Sequence, residues 1–232
     1  MKTLSNHQNL QIVFEDNHLI IINKRVGDIV QGDKTGDKPL SDIVKEYLKE
    51  KYQKPGEAFI GVIHRLDRPT SGLVVFAKTS KALTRMNESF KNRSTQKIYW
   101  AIVKNDLPKA NDTLTHYLTR NSKNNTSKAF LKEVPESKKA ILDYKILKKI
   151  DHYTLLEINL HTGRHHQIRT QLAAIGCPIK GDLKYGFARS NSDSGICLHA
   201  YSIIFTHPVT KEIMKFYAEA TGDIWGKFDF KN

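Results

Sequence analysis

The chain has 232 residues, 39% of them hydrophobic, and carries 37 lysines and arginines against 24 aspartates and glutamates, a formal net charge of +13. That length buries a sizeable core, as one compact domain or two small ones. No window approaches the apolar run that spans a bilayer, the start Met1-Lys2-Thr3-Leu4-Ser5-Asn6-His7-Gln8 has no signal-peptide core, and Cys177 and Cys197 are too few for a disulfide framework.

The two cysteines read as reduced, partly buried thiols, and these features together lead us to expect a cytoplasmic protein. The excess charge points to a polyanionic partner, because lysine and arginine displace counterions from phosphates. It is also clustered. Residues 78–97 hold Lys78, Lys81, Arg85, Lys91, Arg93 and Lys97 against Glu88 alone, and residues 120–149 are similarly basic. Neither segment reads as a basic helix with an aromatic face, which disfavours a membrane surface.

Residues 10–14 and 19–22 predict two short strands around a polar turn at Glu15-Asp16-Asn17. Gly27, Gly32 and Gly36 mark a loop. Ser41 predicts the N-cap of a helix through about Lys51, with Ile43, Val44, Tyr47 and Leu48 on one face. Residues 59–64 and 72–78 predict strands on either side of a polar loop. Ser80 is the expected cap of a second helix bearing Leu83, Met86 and Phe90. Strands are expected over 97–103, 139–147 and 152–160, with a long loop or mobile hairpin over the polar, basic stretch 119–138. A third helix is predicted from about Arg164 to Ile175, stopped by Gly176-Cys177-Pro178. A closing pair of strands follows over 196–206 and 212–218. The sum is an α+β domain with a large, mixed, mainly antiparallel sheet flanked by helices.

Two segments carry the polar chemistry. Residues 64–79 run His-Arg-Leu-Asp-Arg-Pro-Thr-Ser-Gly-Leu-Val-Val-Phe-Ala-Lys-Thr. Asp67 falls in a loop between strands, where catalytic groups are often presented, and Arg65 and Arg68 flank it and favour its ionised form. Asp, Pro, Ser and Gly also suit a tight turn, and spacing does not choose between turn and site. Residues 161–186 begin His-Thr-Gly-Arg-His-His-Gln-Ile-Arg and end Gly-Asp-Leu-Lys-Tyr-Gly. Ile168, Leu172 and Ile175 are expected to face the core, with His165 and Arg169 on another face. Arg164 and the helix start together suit a phosphate. His161, His165 and His166 invite a metal reading, but no His-Glu-x-x-His is present, and RNA contact or structural histidines are preferred.

Residues 64–79 closely resemble the catalytic motif of the RluA-type pseudouridine synthases, which modify ribosomal and transfer RNA. Residues 161–182 are similar to that family's later motif, residues 14–30 with Asn23-Lys24 and Gly27 to its opening segment, and Leu198-His199-Ala200 with Phe205-Thr206-His207-Pro208 to its closing one. The resemblance runs from about residue 11 to about 218. It implies a central RNA-binding cleft and Asp67 as the essential aspartate. It implies that Tyr99 stacks on the target base, that Arg169 pairs with the aspartate, and that Leu198 lies near the base. Arg65, Arg164, His165 and Gln167 join Leu198 as the expected RNA contacts. No metal or organic cofactor is implied. Arg25 stands where family members commonly have proline, and Gln31 where many have histidine. We expect residues 1–232 to form a single catalytic domain without a separate S4-like RNA-binding domain. We also expect it to act as a monomer with no obligatory protein partner.

Overall fold

The computed structural model describes residues 4–33, 35–53, 55–104 and 106–228. The first three residues of the polar N-terminal stretch lie outside them. In chain order the elements are β1 (Ile12–Glu15), β2 (Leu19–Lys24), α1 (Leu40–Lys51), β3 (Gly61–Val62), β4 (Ser71–Ala77), α2 (Ser80–Lys91), β5 (Gln96–Val103), β6 (Asn111–Asn121), β7 (Thr126–Phe130), β8 (Lys138–Ile150), β9 (Tyr153–Leu160), α3 (Gln167–Ala174), β10 (Leu198–Thr206), β11 (Ile213–Tyr217) and α4 (Asp223–Gly226). The strands make a mixed, mainly antiparallel fold with few helices, as the α+β expectation has it. Two compact units are described in turn, one of residues 1–95 with 200–219, the other of residues 96–199 with 220–232.

In the first unit the strand order is β1-β2-β4-β10, with β3 paired to β4 and β11 to β10. β2 and β4 are antiparallel, with Leu19 opposite Ala77, Ile21 opposite Val75 and Asn23 opposite Leu73. Side chains alternate across a strand, so Leu19, Ile21, Leu73, Val75 and Ala77 share one face. They form a buried cluster with Ala82 and Met86 of α2 and with Ile203 and Phe205 of β10. Ile20, Ile22, Val74 and Phe76 on the opposite face are also fully buried. A strand covered on both sides reads as an apolar run rather than an alternation, and residues 19–22 and 73–77 are such runs.

Local rules misplace three boundaries in this unit. α1 starts at Leu40 with Pro39 at its N-cap, and Ser41 lies inside the helix. Main-chain acceptors already serve its first turn, because Leu40 N donates to Ile29 O at 2.7 Å and Ser41 N to Val30 O at 3.2 Å. α2 is capped by Thr79, whose Oγ1 accepts from Ala82 N at 3.2 Å, one residue before the expected Ser80. The strand expected over 59–64 shrinks to Gly61–Val62. Beyond it the side chain of His64 takes the next bond of the ladder, its Nε2 accepting from Val75 N at 3.1 Å.

The second unit is an antiparallel run in the order β5-β9-β8-β6-β7. The stretch 119–138 is in part a hairpin, β6 turning into β7, followed by irregular chain over 131–137. β6 begins well before it, at Asn111, and its buried residues Leu114, His116 and Leu118 alternate with more exposed ones. α3 packs on β6 and β7. Its Gln171, fully buried, donates to Leu114 O at 3.0 Å and Ala140 O at 3.3 Å. α3 starts at Gln167, three residues later than expected, because His166 takes a left-handed conformation, φ 51°, that ends any helical run from Arg164. Its end agrees with expectation. Gly176 has φ +77° and Cys177 N closes on Leu172 O at 3.0 Å. Ile168 and Leu172 are buried as expected, whereas Ile175 is only partly so. Cys177 and Cys197 are free, buried thiols, and burial pushes Cys197 up to about 11. No described helix is long and apolar enough to cross a membrane.

Candidate active site

In the first unit Asp67 sits half-buried on the loop between β3 and β4. Main-chain bonds hold that loop. Thr70 N donates to Asp67 O at 3.0 Å, closing a turn over Asp67-Arg68-Pro69-Thr70, and Gly27 N donates to Arg68 O at 2.8 Å. Lys24 reinforces the second link. Its side chain is 1% exposed, and its Nζ donates to Arg25 O at 2.9 Å, Asp28 O at 2.8 Å and Arg68 O at 3.3 Å. A buried ammonium needs such acceptors, and three carbonyls supply them. Asp28 is tied down in turn, its carboxylate accepting from Ser5 N at 3.0 Å and Ser5 Oγ at 2.6 Å.

The Thr-Ser-Gly end of the motif has its own physical requirement. Gly72 has φ +110°, and a Cβ there would lie 2.4 Å from Ala200 O and 2.5 Å from Ala200 N. β4 and β10 approach so closely at this point that only glycine fits. The Ala200 of the closing motif and the Gly72 of the catalytic motif are two sides of one contact.

The two arginines beside Asp67 differ. Arg68 is engaged with Asp37 at 2.5 Å, with Thr35 Oγ1 at 2.6 Å and with Asp33 at 3.5 Å. The hydrogen bond that Arg68 donates to Asp37 pushes the Arg68 guanidinium up, and Arg68 in turn holds Asp37 below the usual carboxylate range. Arg65 is exposed, and its one described side-chain bond is a long contact of 3.5 Å from Nη1 to Gln31 Oε1.

In the second unit Arg169 lies in α3 and is 5% exposed. Its Nε donates to Asp182 Oδ2 at 2.7 Å and its Nη2 to Asp182 Oδ1 at 2.8 Å, a bidentate pair with a carboxylate that is 1% exposed. The guanidinium carbon stands 5.0 Å from the ring centroid of Tyr185. The Tyr185 hydroxyl accepts from Ser127 N at 2.8 Å and lies 2.8 Å from His166 Nδ1. His165 stacks on His166 at 3.8 Å and bonds Ser127 Oγ at 2.9 Å through Nδ1 and Asn125 Oδ1 at 3.0 Å through Nε2. The β6–β7 hairpin is thereby fastened to the segment that carries Arg169.

Of the other expected residues in this unit, Tyr99 is buried in β5 opposite Ile158 of β9, and Leu198 is buried at the start of β10. Gln167 is buried, and its Oε1 accepts from Arg164 N at 3.0 Å and Thr162 Oγ1 at 2.8 Å while Nε2 donates to Ile141 O at 3.0 Å. It braces the loop 161–166. Arg164, half-buried, donates through Nε to Lys139 O at 3.1 Å. His161 pairs with Asp143 at 2.5 Å. Burial would raise that carboxyl, but hydrogen bonds from Thr113 and His161 hold it lower than usual. Among the described residues no group of three or more His, Cys, Asp or Glu is placed to hold a metal ion.

Asp182 and Tyr185 belong to the Gly-Asp-Leu-Lys-Tyr-Gly run, whose residues sequence reasoning quotes without assigning them roles. Lys24 is likewise quoted only as part of a motif. The signal for Asp182 and Tyr185 was a polar residue beside a glycine in a specific run, and for Lys24 its place in a specific motif, which marks importance without naming a partner.

Comparison with known proteins gives the family and the fold. A family model described as RNA pseudouridylate synthase matches residues 18–174. The chain is 34% identical over 238 residues to an uncharacterized RNA pseudouridine synthase of Chlorobaculum parvum, covering 93% of this chain and 72% of that protein. It is 30% identical over 221 residues to a tRNA pseudouridine synthase C of Vibrio cholerae, covering 88% of each. The solved structure of human RNA pseudouridylate synthase domain containing 4 shares the fold, with a TM-score of 0.75 at 22% identity over 90% of this chain and 88% of that one.

Proposed function

Since the chain belongs to the RNA pseudouridylate synthase family and is an isomerase acting on RNA, we propose that Asp67 is the nucleophile by which it converts a specific uridine of structured ribosomal or transfer RNA to pseudouridine. The observation that carries this reading is the loop of Asp67. The carboxylate belongs to the most specific motif in the chain, on a turn whose main chain is fixed by Thr70, Gly27 and Lys24.

The reaction breaks the bond from C1′ to N1 of uridine and makes one from C1′ to C5, while the proton on C5 is released and N1 takes up one in its place. A carboxylate nucleophile divides that rearrangement into easier steps. No water is added, so one carboxylate suffices, unlike the paired acids of sugar hydrolysis. Tyr99 stacks on the target base, Arg169 is the basic member of the catalytic set, and Leu198 provides apolar contact. The base is inaccessible within a stack and is flipped out to react. Arg65, Arg164, His165 and Gln167 belong to the segments that bind the RNA, Arg65 from an exposed position and Gln167 by bracing its loop. The protein works as a monomer.

The test is release of tritium from C5-labelled uridine in RNA. Asp67→Asn is nearly isosteric but a poor nucleophile, and we expect turnover to fall about a thousandfold or more with RNA binding retained. Substantial turnover by the purified variant would remove Asp67 from the role. Mapping pseudouridines in total RNA from cells with and without the gene identifies the target uridine. The Vibrio cholerae relative's name puts transfer RNA among the first substrates to map.

A further inference from the structure

We propose that Asp182 is a positioning residue for the reaction. It sets the plane and direction of the Arg169 guanidinium, with the ring of Tyr185 as a floor beneath it. The proposal rests on the reading of Arg169 as the basic member of the catalytic set.

A guanidinium has five N–H donors in a rigid plane. Asp182 engages Nε at 2.7 Å and Nη2 at 2.8 Å, both on one edge of the fork. Two parallel bonds fix the rotation of the plane as well as its position, which a single bond or a point charge does not. The Nη1 edge is then aimed by geometry. Tyr185, 5.0 Å from the guanidinium carbon, limits tilting out of that plane.

Asp182 is itself immobile. Gly181 has φ +88°, and a Cβ there would meet Asn191 Nδ2 at 2.6 Å and Gly195 O at 2.8 Å. Lys180 N donates to Ile102 O of β5 at 2.8 Å, and Cys197 N donates to Lys180 O at 2.8 Å. Asp182 N donates to Ile179 O at 3.0 Å, while Asp182 O accepts from Tyr185 N at 3.1 Å and Phe187 N at 3.0 Å. The carboxylate is thus anchored through its main chain to a sheet strand on one side and to the 191–197 loop on the other. An arginine needed only for its charge, or for packing, would not require a buried fork mounted on so stiff a base. A group that must be aimed does.

The experiment is a double-substitution cycle read by single-turnover rate at saturating RNA, RNA affinity and melting temperature together. Asp182→Asn keeps the shape but sets an N–H₂ against the guanidinium donors. We expect it to slow the single-turnover rate about tenfold or more while RNA affinity changes less than about twofold. In an Arg169→Gln background, where there is no fork to aim, the same substitution should alter the rate by less than about twofold. A wild-type rate for folded Asp182→Asn, with only the melting temperature lowered, overturns the proposal. So does a rate factor that multiplies unchanged in the Arg169→Gln background. If Asp182→Asn does not fold, Asp182→Glu retains the charge but displaces it by one methylene. It is expected to fold and to be slow, and a wild-type rate for it is equally fatal. A wild-type rate for Arg169→Gln alone would instead refute the role of Arg169, and the two failures are distinct.

Discussion

The loop that carries Asp67 and the segment that carries Arg169 are held by different kinds of bond. Around Asp67 the shape comes from the main chain, through the turn from Thr70 N to Asp67 O, the link from Gly27 N to Arg68 O, and Lys24 Nζ on three carbonyls. These bonds run through the main chain and Lys24 and do not use the Asp67 side chain. Around Arg169 the shape comes from side chains, with Asp182 at its edge, Tyr185 at its face, and His166, His165 and Ser127 beyond. There the functional group is itself part of the scaffold. Substituting Arg169 therefore mixes chemistry with stability, whereas an isosteric change at Asp67 keeps the main-chain frame of its loop.

The sharpest way to break that contrast is to compare stabilities. Arg169→Ala leaves the Asp182 carboxylate, 1% exposed, without its cation. Removing one partner of a buried pair costs about 3–5 kcal/mol, and we expect a loss of that size in urea unfolding. Asp67→Asn should lose much less. Equal losses would show that the Asp67 side chain also carries its loop.

Gly72→Ala probes the main-chain frame from the other direction. Its Cβ would fall 2.4 Å from Ala200 O at φ +110°, and we expect about 2–3 kcal/mol of destabilisation from strain and overlap. Turnover should fall too, because the strand that leads out of the Asp67 loop must shift. A variant as stable and active as the parent would mean that β4 and β10 separate without cost.

Arg65→Ala removes an exposed side chain that the scaffold does not use, so stability should hardly change. If Arg65 fills the gap left by a flipped uridine, activity on a folded stem-loop should fall about tenfold more than on an RNA whose target is already unstacked. Equal losses on both RNAs would restrict Arg65 to an electrostatic role.

The smallest effect is expected in the β6–β7 hairpin and the chain after it, where Lys123, Lys128 and Lys132 are exposed. Replacing all three with alanine should leave the fold intact and flatten the dependence of log affinity on log salt, by about 0.7–0.9 for each lysine that contacts a phosphate. An unaltered slope would place the RNA footprint elsewhere.

Much of this protein was legible in the chain itself. Strand periodicity, helix faces and the stop at Gly176 depend on neighbours within a few residues, and the polar motif around Asp67 is continuous in sequence. Two of the misplaced boundaries share a cause. Ser41 is a good cap by type, but Ile29 and Val30 carbonyls reach the helix start first, and His64 replaces a strand's main chain with its ring. A local rule has no access to a competing partner that arrives from another part of the chain. The same limit hid the roles of three residues. Lys24 meets Arg68 O across 44 positions, Gly72 meets Ala200 across the fold, and Arg169 meets Asp182 only after α3 and the turn behind it have packed. Which residue types matter was set by local chemistry that the chain spells out. Which partner each buried donor finds was decided by the tertiary structure, because a desolvated charge is stable only where distant segments converge to satisfy it.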